Sequence, residues 1–406
     1  MRKAIISLAV LSLVGCRQMG NGYRYTSEQV ASMELDKTKG IERDSSVVIG
    51  IDLNEGMDND FLNMSDFIDS VVFIPLETNE ESLIGRMEQV FVTDGYVYVQ
   101  TGYGKGSELF VFDIDGNFVN KIRQGQGPGE VYRIYDMAYD RYKKQIVLYD
   151  HPYLAIYDEK GDFVERKRLP FGFFSFEVTE KGYVFKTDGD HRTNGHMGEL
   201  SKQSLLVTDK DFKVQYAALP HLYPSFLGTQ TYLHDNGETL MLTECMNDTV
   251  YEIVDNKLKP RYRLDYSDHK ITAYLEREPN AVLSDVEKED AYMYEGRYYE
   301  TSTHQMFYLY NLSCGMYTYY LRDKASHQMQ SGHRLSISLE VILPTYFPIG
   351  STTEYFISYH LPESMENNEI YKNNRFITGE VKEKMLALDE ESNPVLVLFK
   401  FKSISE

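Results

Sequence analysis

A two-stranded unit recurs four times along the chain, and its spacing constrains the fold more than any other feature. The segments are "ELFVFDIDGNFVNKI" (108–122), "YLAIYDEKGDFVERK" (153–167), "SLLVTDKDFKVQYAAL" (204–219) and "TVYEIVDNKLKPRYRL" (249–264). In each, an alternating apolar stretch runs into an aspartate: Asp113, Asp158, Asp209 and Asp255, at intervals of 45, 51 and 46 residues. A few turn-forming residues follow, then a second alternating stretch. That pattern is a β-hairpin, with the aspartate favoured where its side chain accepts from nearby backbone N–H groups. Another strand candidate precedes each hairpin: "GYVYVQT" (95–101), "QIVLYDH" (145–151), "GYVFKTD" (182–188) and "ETLMLTE" (238–244). A further one, "MEQVFVT" (87–93), precedes the first of these. Four strands repeated at about 40–50 residues is the period of a β-propeller blade. A lone blade leaves its faces open, and packing blades into a ring buries them.

Two later units are less regular. "STHQMFYLYN" (302–311) and "MYTYYLRD" (316–323) read as the middle strands of a fifth blade, and "EYFISYH" (354–360) and "PVLVLFKFK" (394–402) as those of a sixth. The sixth lacks an outer strand, while "SVVFIPLET" (70–78) is unclaimed ahead of the first blade. The expectation is an all-β, six-bladed β-propeller over residues 47–406, closed by this N-terminal strand, which removes two exposed sheet edges. Helical insertions are expected within 272–295 and 365–391. They either pack on the ring or form a lid over a central site.

The first 16 residues, "MRKAIISLAVLSLVGC", carry Arg2 and Lys3, an apolar run from Ala4 to Val14, and then Gly15 and Cys16. A basic start before a short apolar run is a secretory signal. The run is too short for a membrane-spanning helix, which needs about 20 residues. "LVGC" resembles a bacterial lipobox, which implies cleavage before Cys16 and acylation of that residue. Several acyl chains give stable anchoring where one is marginal. Residues 17–46 are polar with few periodic apolar positions and are expected to be a flexible tether. The stretch after Cys16, "RQMGNG", lacks acids, which leans toward an outer-membrane position facing the periplasm.

Charge narrows the partners. With 62 acidic and 42 basic side chains the formal charge is −20, which argues against sequence-independent nucleic-acid binding. There are 33 tyrosines and no tryptophan; tyrosine suits strands and half-wet surfaces. Cys245 and Cys314 are either free, buried thiols or one bridge, which spacing alone does not decide.

"FIPLET" (73–78), "LIG" (83–85), "GQGPGE" (125–130) and "NPVLVLFK" (393–400) together resemble six-bladed β-propeller lipoproteins of Gram-negative anaerobes, related in architecture to NHL-repeat propellers. The resemblance implies fold and envelope location. It assigns no catalytic residue and no cofactor.

The glycine-rich loop "IRQGQGPGEVYRI" (122–134) poses the sharpest site question. A phosphate loop would need a Gly-Lys-Ser/Thr ending and a following helix; here Glu130 and a strand follow, and Pro128 removes a donor. The loop reads as a turn, or as a turn that also presents Arg123, Gln126 and Glu130 at the channel mouth. His151 and His360 end the second strands of blades two and six, a reasonable place for a ligand site, or are simply hydrogen-bonded there. "HRTNGH" (191–196) is a weak metal signal, and "DIDGN" (113–117) lacks the length and closing Glu of a calcium loop. No catalytic motif of the HExxH, GxSxG or cysteine-zinc kind is present. Two functions stay open: an envelope binding or scaffold protein for a peptide, glycan or protein partner, and an NHL-like lyase or hydrolase with a channel site.

Overall fold

Three of the four hairpin aspartates form the expected turn. One carboxylate oxygen of Asp113 accepts from the N–H groups of Asp115 and Asn117 at 3.0 and 2.8 Å. Asp158 does the same with Lys160 and Asp162, and Asp209 with Asp211 and Lys213. A β-bulge precedes each of these turns, between Val111 and Phe112, Ile156 and Tyr157, and Val207 and Thr208, which locally raises the strand twist. Asp255 turns differently, with its own backbone in the left-handed region at φ 48°.

A computed structural model describes residues 25–41, 48–54, 56–57, 59–102, 106–187, 191–220, 231–255, 257–266, 270–278, 285, 288, 291–343, 345–362 and 368–404. The signal segment and Cys16 lie outside the described residues.

Six antiparallel blades form the ring. From hub to rim, blade 1 is Met87–Val92, Tyr96–Thr101, Glu108–Asp113 and Phe118–Ile122. Blade 2 is Asp136–Asp140, Gln145–Asp150, Tyr153–Asp158 and Phe163–Arg168. Blade 3 is Ser175–Val178, Gly182–Lys186, Gln203–Asp209 and Val214–Pro220. Blade 4 is Thr231–Asp235, Leu240–Glu244, Asn247–Val254 and Lys257–Asp265. Blade 5 is built on Tyr298–Glu300, His304–Asn311, Met316–Asp323 and Met329–Gly332. Blade 6 is Gly350–Ser351, Phe356–His360 and Val395–Phe401. The middle strands of blades 1, 2, 3 and 6 are mostly buried, because each blade packs a neighbour on both faces, while Asn247–Val254 of blade 4 and Met316–Asp323 of blade 5 each have one exposed end. A separate apolar cluster fills the gap between each neighbouring pair of blades.

The ring closes as expected. Ile68–Pro75 is the outer strand of blade 6, antiparallel to Val395–Phe401, with Phe73 opposite Val397. The seam is fastened by Asn393, which is buried. Its side-chain amide donates to the carbonyls of Glu77 and Ser82, both at 2.7 Å, and its carbonyl oxygen accepts from the Ile84 N–H at 2.8 Å. Three of the four stretches that carry the lipoprotein resemblance therefore meet at one seam.

The chain ahead of this strand departs from the expected tether. Between Tyr25 and Ile41 it is docked on the ring. Thr26 caps the short helix Ser27–Ser32 in a capping box, and Met33 is fully buried in the cluster between blades 2 and 3. Lys39–Gly40 then pairs in parallel with the outer strand of blade 3. Ile49–Asp52 pairs in parallel with that of blade 4, and Phe61–Asn63 with Arg334–Ser336 beside blade 5. With Ile68–Pro75 these segments form a belt over the rims of four consecutive blades. Two glycines permit its close approach. A Cβ on Gly332 would lie 2.2 Å from the Leu62 nitrogen, and one on Gly116 2.2 Å from the Pro75 carbonyl oxygen.

The described parts of both insertions pack on the ring. Gly379–Leu386 buries Met385 in the cluster between blades 5 and 6, alongside Tyr371 and Ile377. Ile271–Arg277 packs Ile271 and Leu275 against Met246 and Met293. Cys245 and Cys314 form no disulfide among the described residues; Cys314 is exposed rather than buried.

Candidate functional site

The six hub strands surround a cavity of about 1130 Å³. Its wall also includes the turns between first and second strands in blades 1, 2, 4 and 6, so it opens toward the face that carries those turns. Polar groups come from every blade: Gln89, Asp136, Ser175 with Glu177, His234 with Asp235, Tyr299, and Ser351.

Asp136 is nearly buried. One oxygen accepts from the Gln89 side-chain amide at 2.7 Å and the other from the Phe176 N–H at 2.9 Å. Burial outweighs both hydrogen bonds and raises its pKa to about 7. Glu177, one strand further round, is also buried, and its pKa is pushed well up, first by burial and then by the nearby Asp235 and Asp136 charges. Arg141 is close to Glu177 but is paired with Asp235, and it also donates to the Gly237 carbonyl. Among the described residues no cation pairs with Glu177.

His234 is held neutral. Its Nε2 lies 2.7 Å from the Ser351 hydroxyl, which itself donates to the Glu300 carbonyl at 2.8 Å. With that hydroxyl proton committed, Nε2 carries the hydrogen and donates. Burial lowers the His234 pKa to about 4, and the Tyr299 ring stands edge-on to it at 5.0 Å. Among the described residues, two side-chain atoms in the wall are buried without a partner: the Gln89 carbonyl oxygen and the Ser175 hydroxyl.

None of the five ligand residues anticipated from the sequence lines this cavity. The glycine loop is wedged between the outer parts of blades 1 and 2, where Tyr157 donates to the Gly129 carbonyl and Arg166 to that of Glu130. The Glu130 carboxylate folds back to accept from the Gly127 N–H at 2.7 Å, and a Cβ on Gly125 would lie 1.8 Å from it. The loop thus supplies its own anion. Arg123 pairs with Glu81 at 3.1 Å on the surface, and Gln126 is exposed. His151 accepts or donates to the Tyr149 hydroxyl at 3.0 Å, and His360 to that of Tyr371 at 3.1 Å. Both end second strands, at the opposite end from the turns that frame the cavity. His196 contacts the Pro170 carbonyl at 2.8 Å, and the His191 side chain lies outside the described residues.

The profile of DUF4934, a domain of unknown function, matches residues 48–400, which takes in the belt from blade 4 onward and all six blades. The chain belongs to the DUF4934 family. Among solved structures, this DUF4934 chain is similar to a protein from Bacteroides fragilis described as exported, with a TM-score of 0.67 and 19% identity over 88% of this chain and 100% of that one. BamB from Moraxella catarrhalis aligns over 81% of this chain and 100% of that one, at a TM-score of 0.33 and 7% identity. No curated protein matches the DUF4934 chain. At 19% identity the likeness to the Bacteroides fragilis protein speaks to fold alone.

Proposed function

We propose that this DUF4934 protein is a cell-envelope binding lipoprotein whose propeller takes a small ligand, or the end of a peptide or glycan, in its central channel. One observation carries the reading: a roomy cavity reached by all six hub strands, holding buried polar groups that the protein leaves without partners. Native proteins rarely leave such groups unpaired, and ligand sites are a recurrent exception. The lipobox ending at Cys16 supports anchoring, and a fold shared with an exported protein fits an envelope location. An outer-membrane position facing the periplasm and kinship with NHL-repeat propellers belong to this proposal.

A thermal-shift screen of the full chain in detergent tests it. Ligands that raise the melting temperature should lose that effect in Leu233→Trp, which fills the channel; hits indifferent to the filling would refute a channel site. For the anchor, Cys16→Ala should move the protein from the membrane to the soluble fraction, and retention of a mature-sized mutant on the membrane would count against lipidation.

A lyase or hydrolase is the second reading, favoured by Asp136 titrating near neutrality beside the cavity, the range in which general acid–base groups work. Turnover of a channel ligand, abolished in Asp136→Asn with binding retained, selects it over pure binding.

A further inference from the structure

The wall of the channel is unbalanced in charge. Seven acidic and three basic side chains line it. Of the basic ones, Arg141 is committed to Asp235, while Glu177 is 4% exposed and is ion-paired with no cation among the described residues. Both partnerless atoms can accept: the Gln89 carbonyl oxygen only accepts, and the Ser175 hydroxyl accepts or donates. A donor-rich cation serves all three groups. An anion would face a wall rich in acidic side chains and a bare acceptor oxygen.

Two further features define the cation. Among the described residues, no three His, Cys, Asp or Glu side chains converge closely enough to hold a metal ion. Dispersed acceptors suit a larger ion with its hydrogens spread out. The same wall offers the aromatic rings of Phe91, Tyr139 and Tyr299 and the apolar side chains of Val92, Leu233 and Ile349. Aromatic faces attract ammonium and guanidinium groups, and the apolar side chains accommodate a hydrocarbon body.

Resting on the channel reading above, we propose that the site is selective for an organic cation: an ammonium or guanidinium group carried on a small, partly apolar body. Glu177 anchors the charge, with Gln89 and Ser175 completing its donors. Protonation supports the same assignment. Glu177 faces Asp136, Asp235 and Arg141, and Asp136 faces Gln89 and the Phe176 N–H, while His234 nearby stays neutral. Burial favours the protonated acids in the empty channel, and a bound cation favours the ionised ones, so binding releases protons and weakens as the pH falls.

Calorimetry on the full chain in detergent, near neutral pH, tests the assignment with three small probes of similar length: agmatine as the cation, butanediol as the neutral molecule and succinate as the anion. Agmatine should bind at least about tenfold more tightly than either of the others, with proton release seen as a dependence of the heat on buffer. Glu177→Gln, an isosteric change, should weaken agmatine at least about tenfold while still melting cooperatively. Absence of agmatine binding, preference for succinate or butanediol, or an unchanged affinity in Glu177→Gln overturns the cation assignment. Binding of any probe that persists in Leu233→Trp instead overturns the channel reading itself.

Discussion

The rims of blades 3 and 4 and those of blades 1 and 2 handle an exposed sheet edge in different ways. Blades 3 and 4 each gain a parallel belt strand, Lys39–Gly40 and Ile49–Asp52, which takes up backbone hydrogen bonds that their outer edges would otherwise leave open; beside blade 5 the belt pairs with Arg334–Ser336, and in blade 6 its last strand is itself the rim. Among the described residues blades 1 and 2 have no belt, and their outer strands are Phe118–Ile122 and Phe163–Arg168. The blade 2 strand is exposed at nearly every position and carries Glu165, Arg166, Lys167 and Arg168, the charged guard expected on an uncovered edge. Backbone pairing therefore replaces charge as protection on the rims of blades 3 and 4. The belted strands can afford apolar residues, as in blade 4, where Tyr262 and Leu264 are buried under Ile51.

The most severe test of this contrast removes the last belt strand. Deleting residues 70–78 opens blade 6 and strips Val395–Phe401 of its partner, so cooperative thermal unfolding should be lost in circular dichroism; an unchanged melting temperature would refute closure by this strand. Next comes the seam. Asn393→Ala leaves the buried Ser82 carbonyl and Ile84 N–H without the Asn393 side chain and takes one of two donors from the Glu77 carbonyl, and denaturant titration should show a loss of about 2–4 kcal/mol.

Moving from rim to hub gives a smaller effect with a defined pH dependence. Asp136 has a folded pKa of about 7, against 3.8 for an ordinary aspartate carboxyl. The folded state binds this proton more tightly, so the stabilisation is fully present below the unfolded pKa and is lost as pH rises through about 7. Asp136→Asn should therefore melt higher than the parent above neutrality, with the gap closing toward pH 4. A gap that widens on acidification would contradict the burial assignment. The smallest effect belongs to the bare rim. Lys167→Ala should change stability by no more than about 0.5 kcal/mol. Replacing both Glu165 and Lys167 with valine should keep the melting temperature yet promote self-association on size-exclusion chromatography.

The sequence disclosed the blades and their closure because those rest on repeating side-chain chemistry: an aspartate at the hairpin turn, alternation on either side, and one strand too many at the start. The earlier belt strands have no such signature. Lys39–Gly40 is exposed at both positions, and Ile49–Asp52 and Phe61–Asn63 each bury one side chain. Their pairing is made by backbone groups, which composition does not encode, so the stretch reads as a tether even though Met33 is a core residue. The channel was hidden for a related reason. Hub strands such as Ser175–Val178 and Gly350–Ser351 are too short to show a period. One signal was available: Asp136, Glu177 and Asp235 each place an acid in the first strand of three consecutive blades. The glycine loop drew attention through its composition, and its glycines serve the fold of the loop around Glu130.

The seam also orders events in time. Glu77 and the Asn393 that holds it are 316 residues apart, so the belt's final strand is among the first parts of the chain to be made and its partner among the last. Closing a loop of that length is entropically late. An incomplete chain has an unpaired blade at each end, so the ring locks only once the C-terminal strand has been synthesised. A chain still missing that strand is thereby kept from completing its fold.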